Sequence, residues 1–445
     1  MKPVRGRKDA EELAMSAHHI ARECPLSFAQ EHLLIMHQLA RGSAVYHLTA
    51  AFRLEGTLDI AVLLRAATEI MWRHEALRTC FPNRKLAEVT FPSLPAETYD
   101  LCKLPEEIRN AEAYRIIADC AGRSFEVTQG PLWRIYLVKP AESDHFLGLT
   151  MHHLISDGSS IEIFLRELSV VYNAYQAALP MPLREMPLPY SSFALWQRRQ
   201  IEQGFLQNSV SFWAERLQTD VTDLRLPEDF PAPNIPDYAG GREPLAIPRS
   251  LAERLREVSK RERVTLFVTL LALFQSLLRR HTGQNDIIIC LPFAGRSRIE
   301  SQGVIGYFNN ILPIRMSLDE NLSFRELLSR TRREVLALSE HANLPFHVIA
   351  ALANSASIAS TNTRISLTRA MFEFSSTPVR PLEFAGVTAI PLDVHNGTSN
   401  FDLCATLQDR AGTLSGSFKY KARLFRAATI QRMARDFETM MEVCG

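Results

Sequence analysis

The sequence predicts an α/β protein built from two similar lobes, and three observations predict it. A helix-then-strand order recurs in each half of the 445-residue chain. Between the halves lies LRLPEDFPAPNIPDYAGG at 224–241, rich in proline and without usable period. The length suits about two or three domains, and the composition is that of a globular chain, with 46% hydrophobic residues and 50 Lys+Arg against 49 Asp+Glu. That balance offers no basic surplus for a nucleic acid or an anionic membrane. No apolar run reaches the roughly 20 residues of a membrane span. The longest, Val264 to Leu278, is broken by Thr265, Thr269, Gln275 and Ser276 and reads as a buried helix.

Residues 1–22 form an N-terminal extension, basic and then amphipathic, without the apolar core of a signal peptide. Cysteines at 24, 80, 102, 120, 290, 404 and 444 are odd in number and include no CxxC pair, so neither a disulfide framework nor a zinc site is expected. A reducing, cytoplasmic setting follows. The first lobe runs over 23–216. In it, Leu58 to Trp72 carries helical spacing and Phe146 to Met151 reads as a buried strand. Apolar residues then fall at Ile161, Phe164, Leu165, Leu168, Val171, Tyr172 and Tyr175, the pattern of an amphipathic helix. Ser159 and Glu162, three apart, stand where a capping box would start it. A linker is assigned to 217–241 and a second lobe to 242–445. That lobe opens with helices from Leu251 to about Arg263 and from Leu266 to Arg280, continues with the strand DIIICL at 286–291, and closes with strands around FDLCATL and GTLSGSFKY.

The chemistry-bearing stretch is MHHLISDGSS at 151–160, where the strand gives way to the helix. A helix N-terminus presents unpaired N–H groups and a positive dipole end, which suit a developing oxyanion. Gly158 lets the backbone approach a reacting group closely. Neighbours in a strand face opposite ways, so only one of His152 and His153 can work in a cavity while the other packs. An imidazole titrating near neutrality suits taking a proton from an attacking amine or hydroxyl. The alternative is that both histidines are core residues bonded to backbone, with Asp157 capping the helix. A full HHxxxDG pattern arises by chance on the order of once per thousand chains of this length.

HHxxxDG on a strand-to-helix turn resembles the condensation domains of nonribosomal peptide synthetases, and more distantly the chloramphenicol acetyltransferase-like acyltransferases. The resemblance runs from about Pro25 to the end, in the family's order. PLSFAQEHLLIMHQL at 25–39, RHEALRTCF at 73–81, PYSSFALWQ at 189–197, VIGYFNNILPIR at 304–315 and HANLPF at 341–346 are similar to its other motifs. It implies two acyltransferase-like lobes forming a V-shaped pseudo-dimer with a central tunnel. An acyl or peptidyl group carried as a phosphopantetheine thioester by a donor carrier protein would pass to an amine, on an acceptor carrier protein or a free small molecule. The product would be an amide of nonribosomal peptide or polyketide-peptide hybrid biosynthesis. Ester formation on a hydroxyl acceptor, or a non-catalytic recruitment role, is the alternative. The resemblance implies no intrinsically bound cofactor or metal, and the chain is expected to be a monomer.

By the same resemblance His153 projects into the tunnel as the catalytic group, beside Gly158. His152 packs beneath it. Asp157 is structural and pairs with an arginine, Arg296 by first choice or Arg78. Ser27, Asn310 and Ser399 are candidate substrate contacts, with helix capping, backbone satisfaction and simple solvation as their bland alternatives. The chain departs from the family pattern at Ser159 (often Trp), His347 (usually Glu), Ser192 and Phe193 (in place of Asp and Tyr), and LTRAM at 367–371. These departures bear on the subclass and not on the turn itself. Heterocyclisation domains, which replace the histidines with aspartate, are excluded.

Overall fold

The computed structural model describes residues 22–40, 42–186, 188–217, 222–231, 237–319, 321–361, 366–376, 382–410 and 412–444. All of the expected extension except Arg22 lies outside the described residues. The first lobe is built on a five-stranded sheet, ordered Val387–Leu392, His47–Gly56, Asp144–His152, Trp133–Ala141, Ala96–Asp100. Its last pair is parallel and the others antiparallel. Asp144–His152 (DHFLGLTMH) lies at the centre, which is why it is buried on both faces and reads as a nearly continuous apolar run. Helices Ile60–Arg73 and Gly158–Gln176 pack on one face through Leu63, Ala66, Ala67 and Ile70 against Phe164, Leu168, Val171 and Tyr172. Full burial of a side chain such as Phe164 contributes about 1.5–3 kcal/mol. Helix Glu106–Gly122 covers the opposite face with Ala113 and Ile117 against Tyr136, Val138 and Phe146.

The second lobe holds a six-stranded sheet, ordered Asn310–Ser317, Asp286–Phe293, Ala370–Ser375, Leu403–Arg410, Thr413–Lys421, Gly240–Leu245. Helix Leu266–Thr282 is buried against it, as its sequence required, with Thr265 as its N-cap and Gly283 closing it at φ 68°. No described helix is long and apolar enough to cross a membrane.

Three boundaries differ from the sequence reading. Helix Gln207–Leu217 belongs to the second lobe, because Trp213 and Leu217 are buried in its core and Trp213 Nε1 donates to the His341 carbonyl. The first lobe's own elements therefore end near residue 206, not 216. In the proline-rich linker, Leu224 and Leu226 are buried in the second lobe's core, and Gly240 and Gly241 begin a strand. The chain also crosses back: Val304, Ile305 and Phe308 are buried in the first lobe's core, and Val387–Leu392 is the edge strand of its sheet. The lobes are thus joined by exchanged segments as well as by a linker.

The cap also differs. Asp157 is the N-cap of Gly158–Gln176, its carboxylate accepting from the Ser160 N–H at 2.8 Å, so the helix begins before the Ser159–Glu162 pair could cap it.

Candidate active site

His152 and His153 end the central strand, and their side chains part there. The His152 ring is buried. The Leu154 N–H donates to its Nδ1 at 3.0 Å, which leaves the ring proton on Nε2, facing His37 Nδ1 at 3.1 Å. Burial, helped by the nearby His37, His47 and His153, holds its pKa well below the ordinary 6.5. His152 is therefore a neutral packing group.

His153 is half-buried. Its Nδ1 lies 3.1 Å from the Ser156 carbonyl oxygen. A carbonyl only accepts, so Nδ1 carries the proton and Nε2 keeps its lone pair. Nε2 has no hydrogen-bond partner among the described residues. Burial lowers the His153 pKa below 6.5, while the Ser156 carbonyl and the Asp157 and Glu373 charges pull it partly back. At neutral pH the turn presents an unprotonated nitrogen, the form a general base needs.

Beside it, the N–H groups of Gly158 and Ser159 open the following helix and donate to no acceptor among the described residues. A methyl group built on Gly158 would meet nothing within 4 Å, so the backbone borders open space there. Two free amides at a positive helix end, on the same turn as a bare imidazole nitrogen, have the chemistry to stabilise an oxyanion while a proton is removed from a nucleophile.

Asp157 holds this turn to the second lobe. It is fully buried. Its Oδ1 accepts from the Ser160 N–H and hydroxyl and from Arg296, each at 2.8 Å, and its Oδ2 accepts from the Phe308 N–H at 3.2 Å. Arg296 also donates to the Ser301 and Val304 carbonyls and lies 4.2 Å over the Phe308 ring. Gly295 makes this approach possible. Its φ is 62°, and an added Cβ would sit 2.0 Å from the Phe308 carbonyl oxygen. Arg78, the other arginine considered, is not the partner. Its guanidinium donates to the Met71 and Trp72 carbonyls and packs over Trp72 and Phe91.

The RHE segment adds a second clamp. The Ile305 N–H donates to His74 Nδ1, so the His74 proton is on Nε2 and is donated to Glu167 at 2.8 Å, while Arg73 also reaches Glu167. Glu75 accepts from the Ser191 N–H at 3.0 Å. These side chains fasten helices and the crossing segment 304–308 together.

Tyr307, on that segment, lies with its ring 5.5 Å from the His153 ring. It also lines an interlobe cleft enclosing about 830 Å³, part of it open to solvent. Phe28 and Trp196 of the first lobe and Asn310 and Phe346 of the second face the same space. Asn310 lines the cleft but its amide is engaged by the Ala342 and Leu344 carbonyls and the Phe346 N–H. Ser27 is buried as the N-cap of Phe28–Leu39, in a capping box with Gln30, and its Oγ lies 2.9 Å from Tyr190 Oη. Ser399 is buried, and its hydroxyl donates to the Phe401 carbonyl. The turn thus unites His153, His152, Asp157, Gly158 and Arg296, whereas Ser27, Ser399 and Arg78 serve backbone elsewhere. Sequence reading singled out neither Ser160, Tyr307 nor Glu167. The quoted stretches contain Ser160 (151–160) and Tyr307 (304–315), whereas Glu167 carried no signal.

The buried histidines set the acid stability. His47, beside His152, is pushed down to about 4, chiefly by burial. Both rings are neutral when folded and titrate near 6.5 when unfolded. Above that pH their contribution is fully present. As pH falls below it, the unfolded chain takes up protons that the fold refuses, so stability is lost from about 6.5 down through about 4. Calorimetry at stepwise pH should show Tm falling by several degrees between pH 7.5 and 5. A constant Tm down to pH 4.5 would contradict this.

Comparison with known proteins agrees with the geometry. The profile described as Condensation domain matches residues 20–444. The chain is 36% identical over 427 residues to a linear gramicidin synthase from Brevibacillus parabrevis, covering 95% of this chain and 8% of that protein. It therefore spans less than a tenth of that relative's length. Among solved structures, SgcC5 from Streptomyces globisporus superposes with a TM-score of 0.77 at 26% identity, covering 94% of this chain and 98% of that one. The condensation domain of the monacolin K polyketide synthase MokA gives a TM-score of 0.81 at 20% identity over 95% and 97%, a likeness of fold. A strand-to-helix turn bearing HHxxxDG, fastened across two α/β lobes by the Asp157–Arg296 pair and matched along nearly its whole length, places this chain in the condensation domain family of nonribosomal peptide synthetases.

Proposed function

We propose that this domain transfers an acyl or peptidyl group from the phosphopantetheine thioester of a donor carrier protein to an amine acceptor, carrier-bound or free, forming an amide. The observation that carries the reading is His153: Nδ1 bound to the Ser156 carbonyl, Nε2 bare, and its ring against that of Tyr307, which lines the interlobe cleft. The amine nitrogen attacks the thioester carbonyl, and its proton passes to His153 Nε2. The Gly158 and Ser159 amides, free at the helix N-terminus, would stabilise the oxyanion. The C–S bond breaks, and the proton returns from the imidazolium to the departing thiolate. The phosphopantetheine belongs to the carrier, so the domain itself needs no cofactor. Hydroxyl acceptors are the second reading, because SgcC5 was solved with a naphthyl-1,2-ethanediol.

A carrier raises the effective concentration of its thioester by its own surface contacts. A coenzyme A thioester lacks these and adds a charged nucleotide to a chain of net charge +1. Carrier-loaded donor should therefore be used, and the matching coenzyme A donor used poorly. Intact-protein mass spectrometry tests both points, with one loaded carrier offered a carrier-bound amino acid, a free amine and a free alcohol. Transfer only to the alcohol would overturn the amide reading. Equal use of the coenzyme A donor would overturn the carrier requirement.

A further inference from the structure

Segment 304–308 crosses to the first lobe with its backbone clamped on both sides of Tyr307. The Gly306 N–H donates to Ser160 Oγ at 3.1 Å, and the Tyr307 carbonyl accepts from Tyr190 Oη at 2.6 Å. The Phe308 N–H donates to Asp157, and the Phe308 ring is buried in the first lobe's core. Gly306 leaves room for Tyr190, since an added Cβ would sit 2.1 Å from its Cδ2. The segment is thus fixed to the same Asp157 and Ser160 that shape the His153 turn.

The hydroxyl of Tyr307 is the one part of this residue left unengaged. Its ring lies 5.5 Å from that of His153, tilted by 58°, and the half-buried residue lines the interlobe cleft. The hydroxyl meets no hydrogen-bond partner among the described residues and is not sealed from solvent. By contrast, the hydroxyls of Tyr136, Tyr172 and Tyr190 are engaged by Thr150, the Asp59 N–H and the Tyr307 carbonyl. Desolvation, with the Asp157 charge adding to it, pushes the Tyr307 pKa up to about 12. At neutral pH the group is a phenol, able to accept or donate a hydrogen bond while leaving proton removal to His153.

We propose that Tyr307 is a further substrate contact, its phenol oxygen accepting the second N–H of a primary amine acceptor and so favouring primary amines over secondary amines and hydroxyls. This rests on the amide-forming reading above. Two rings this close can hold one small group between them. A neutral primary amine has one lone pair, which must attack the thioester, and two N–H bonds. One N–H faces His153 Nε2, and the other needs an acceptor. As the C–N bond forms, the nitrogen gains positive charge and its hydrogen bonds strengthen. His153 Nε2 takes one proton and passes it to the departing thiolate, while the second N–H stays in the amide. A secondary amine or a hydroxyl has a single proton, which goes to His153. Toward a hydroxyl oxygen the phenol can only donate, which weakens the attacking lone pair.

The test compares wild type with Tyr307→Phe, which keeps the ring and removes only the hydroxyl. An amino acid, its N-methyl derivative and its 2-hydroxy acid are loaded in turn on one acceptor carrier, and transfer is followed by intact-protein mass spectrometry. Tyr307→Phe should lower kcat/KM about tenfold for the primary amine, within reach of one charge-assisted hydrogen bond, and by less than about twofold for the other two. All three acceptors meet the same protein, so a general folding defect cannot imitate that pattern. Amide formation by wild type with no loss in Tyr307→Phe, or with equal loss for the primary and secondary amines, would overturn the Tyr307 assignment alone. Ester formation only, by wild type, would overturn the amide reading and this assignment with it.

Discussion

His153→Ala should lower turnover by roughly 10²- to 10⁴-fold, the range for a positioned acid–base group. The fold should survive, because the ring is half-buried and its one hydrogen bond goes to the Ser156 carbonyl three residues on. His152→Ala should do the reverse. It empties a buried site and removes the acceptor for the Leu154 N–H, so its cost falls on stability. The His153 loss should be smaller with amine acceptors than with alcohols, since a neutral amine is already nucleophilic. Single-turnover acyl transfer and a melting curve on both variants check this. Near-normal turnover in His153→Ala would remove the imidazole from the mechanism.

Asp157→Ala should lower stability by about 3–5 kcal/mol, because the buried Arg296 charge would lose its partner. Arg296→Ala should cost a similar amount, leaving Asp157 with the Ser160 and Phe308 donors alone. The double variant should lose less than the sum of the singles, since neither charge is then left facing an empty site. Denaturant midpoints for the four proteins measure the coupling. Single losses below about 1 kcal/mol would show that the pair is not what holds segment 304–308 to the turn.

The local parts of this architecture were legible in the letters. Between Phe146 and Tyr175 the apolar period changes from that of a strand to that of a helix, and the structure places Asp144–His152 and Gly158–Gln176 there. The cap was left between two starts, the Ser159–Glu162 pair and, as the alternative, Asp157, and the structure decides for Asp157, whose carboxylate takes the Ser160 N–H. Long-range facts were not legible. Arg296 was rightly put before Arg78 as the partner of Asp157, but on resemblance alone; that Arg78 is held by the Met71 and Trp72 carbonyls, at the end of the preceding helix, shows only in the structure. Helix Gln207–Leu217 has an apolar face that either lobe could bury. The pairing of Val387–Leu392 with His47–Gly56 joins segments over 300 residues apart and leaves no local trace. Nothing local marks Glu167 as the residue that His74 and Arg73 meet.

Everything in the mechanism depends on the turn presenting a neutral His153 with its proton on Nδ1 and a bare Nε2. Long-range 1H–15N correlation on 15N-histidine protein at pH 7.5, with His153→Ala used to assign the signal, measures this directly. A protonated Nδ1 and a pyridine-type Nε2 shift are the expected result for His153. An Nε2–H tautomer, or an imidazolium at that pH, would contradict it.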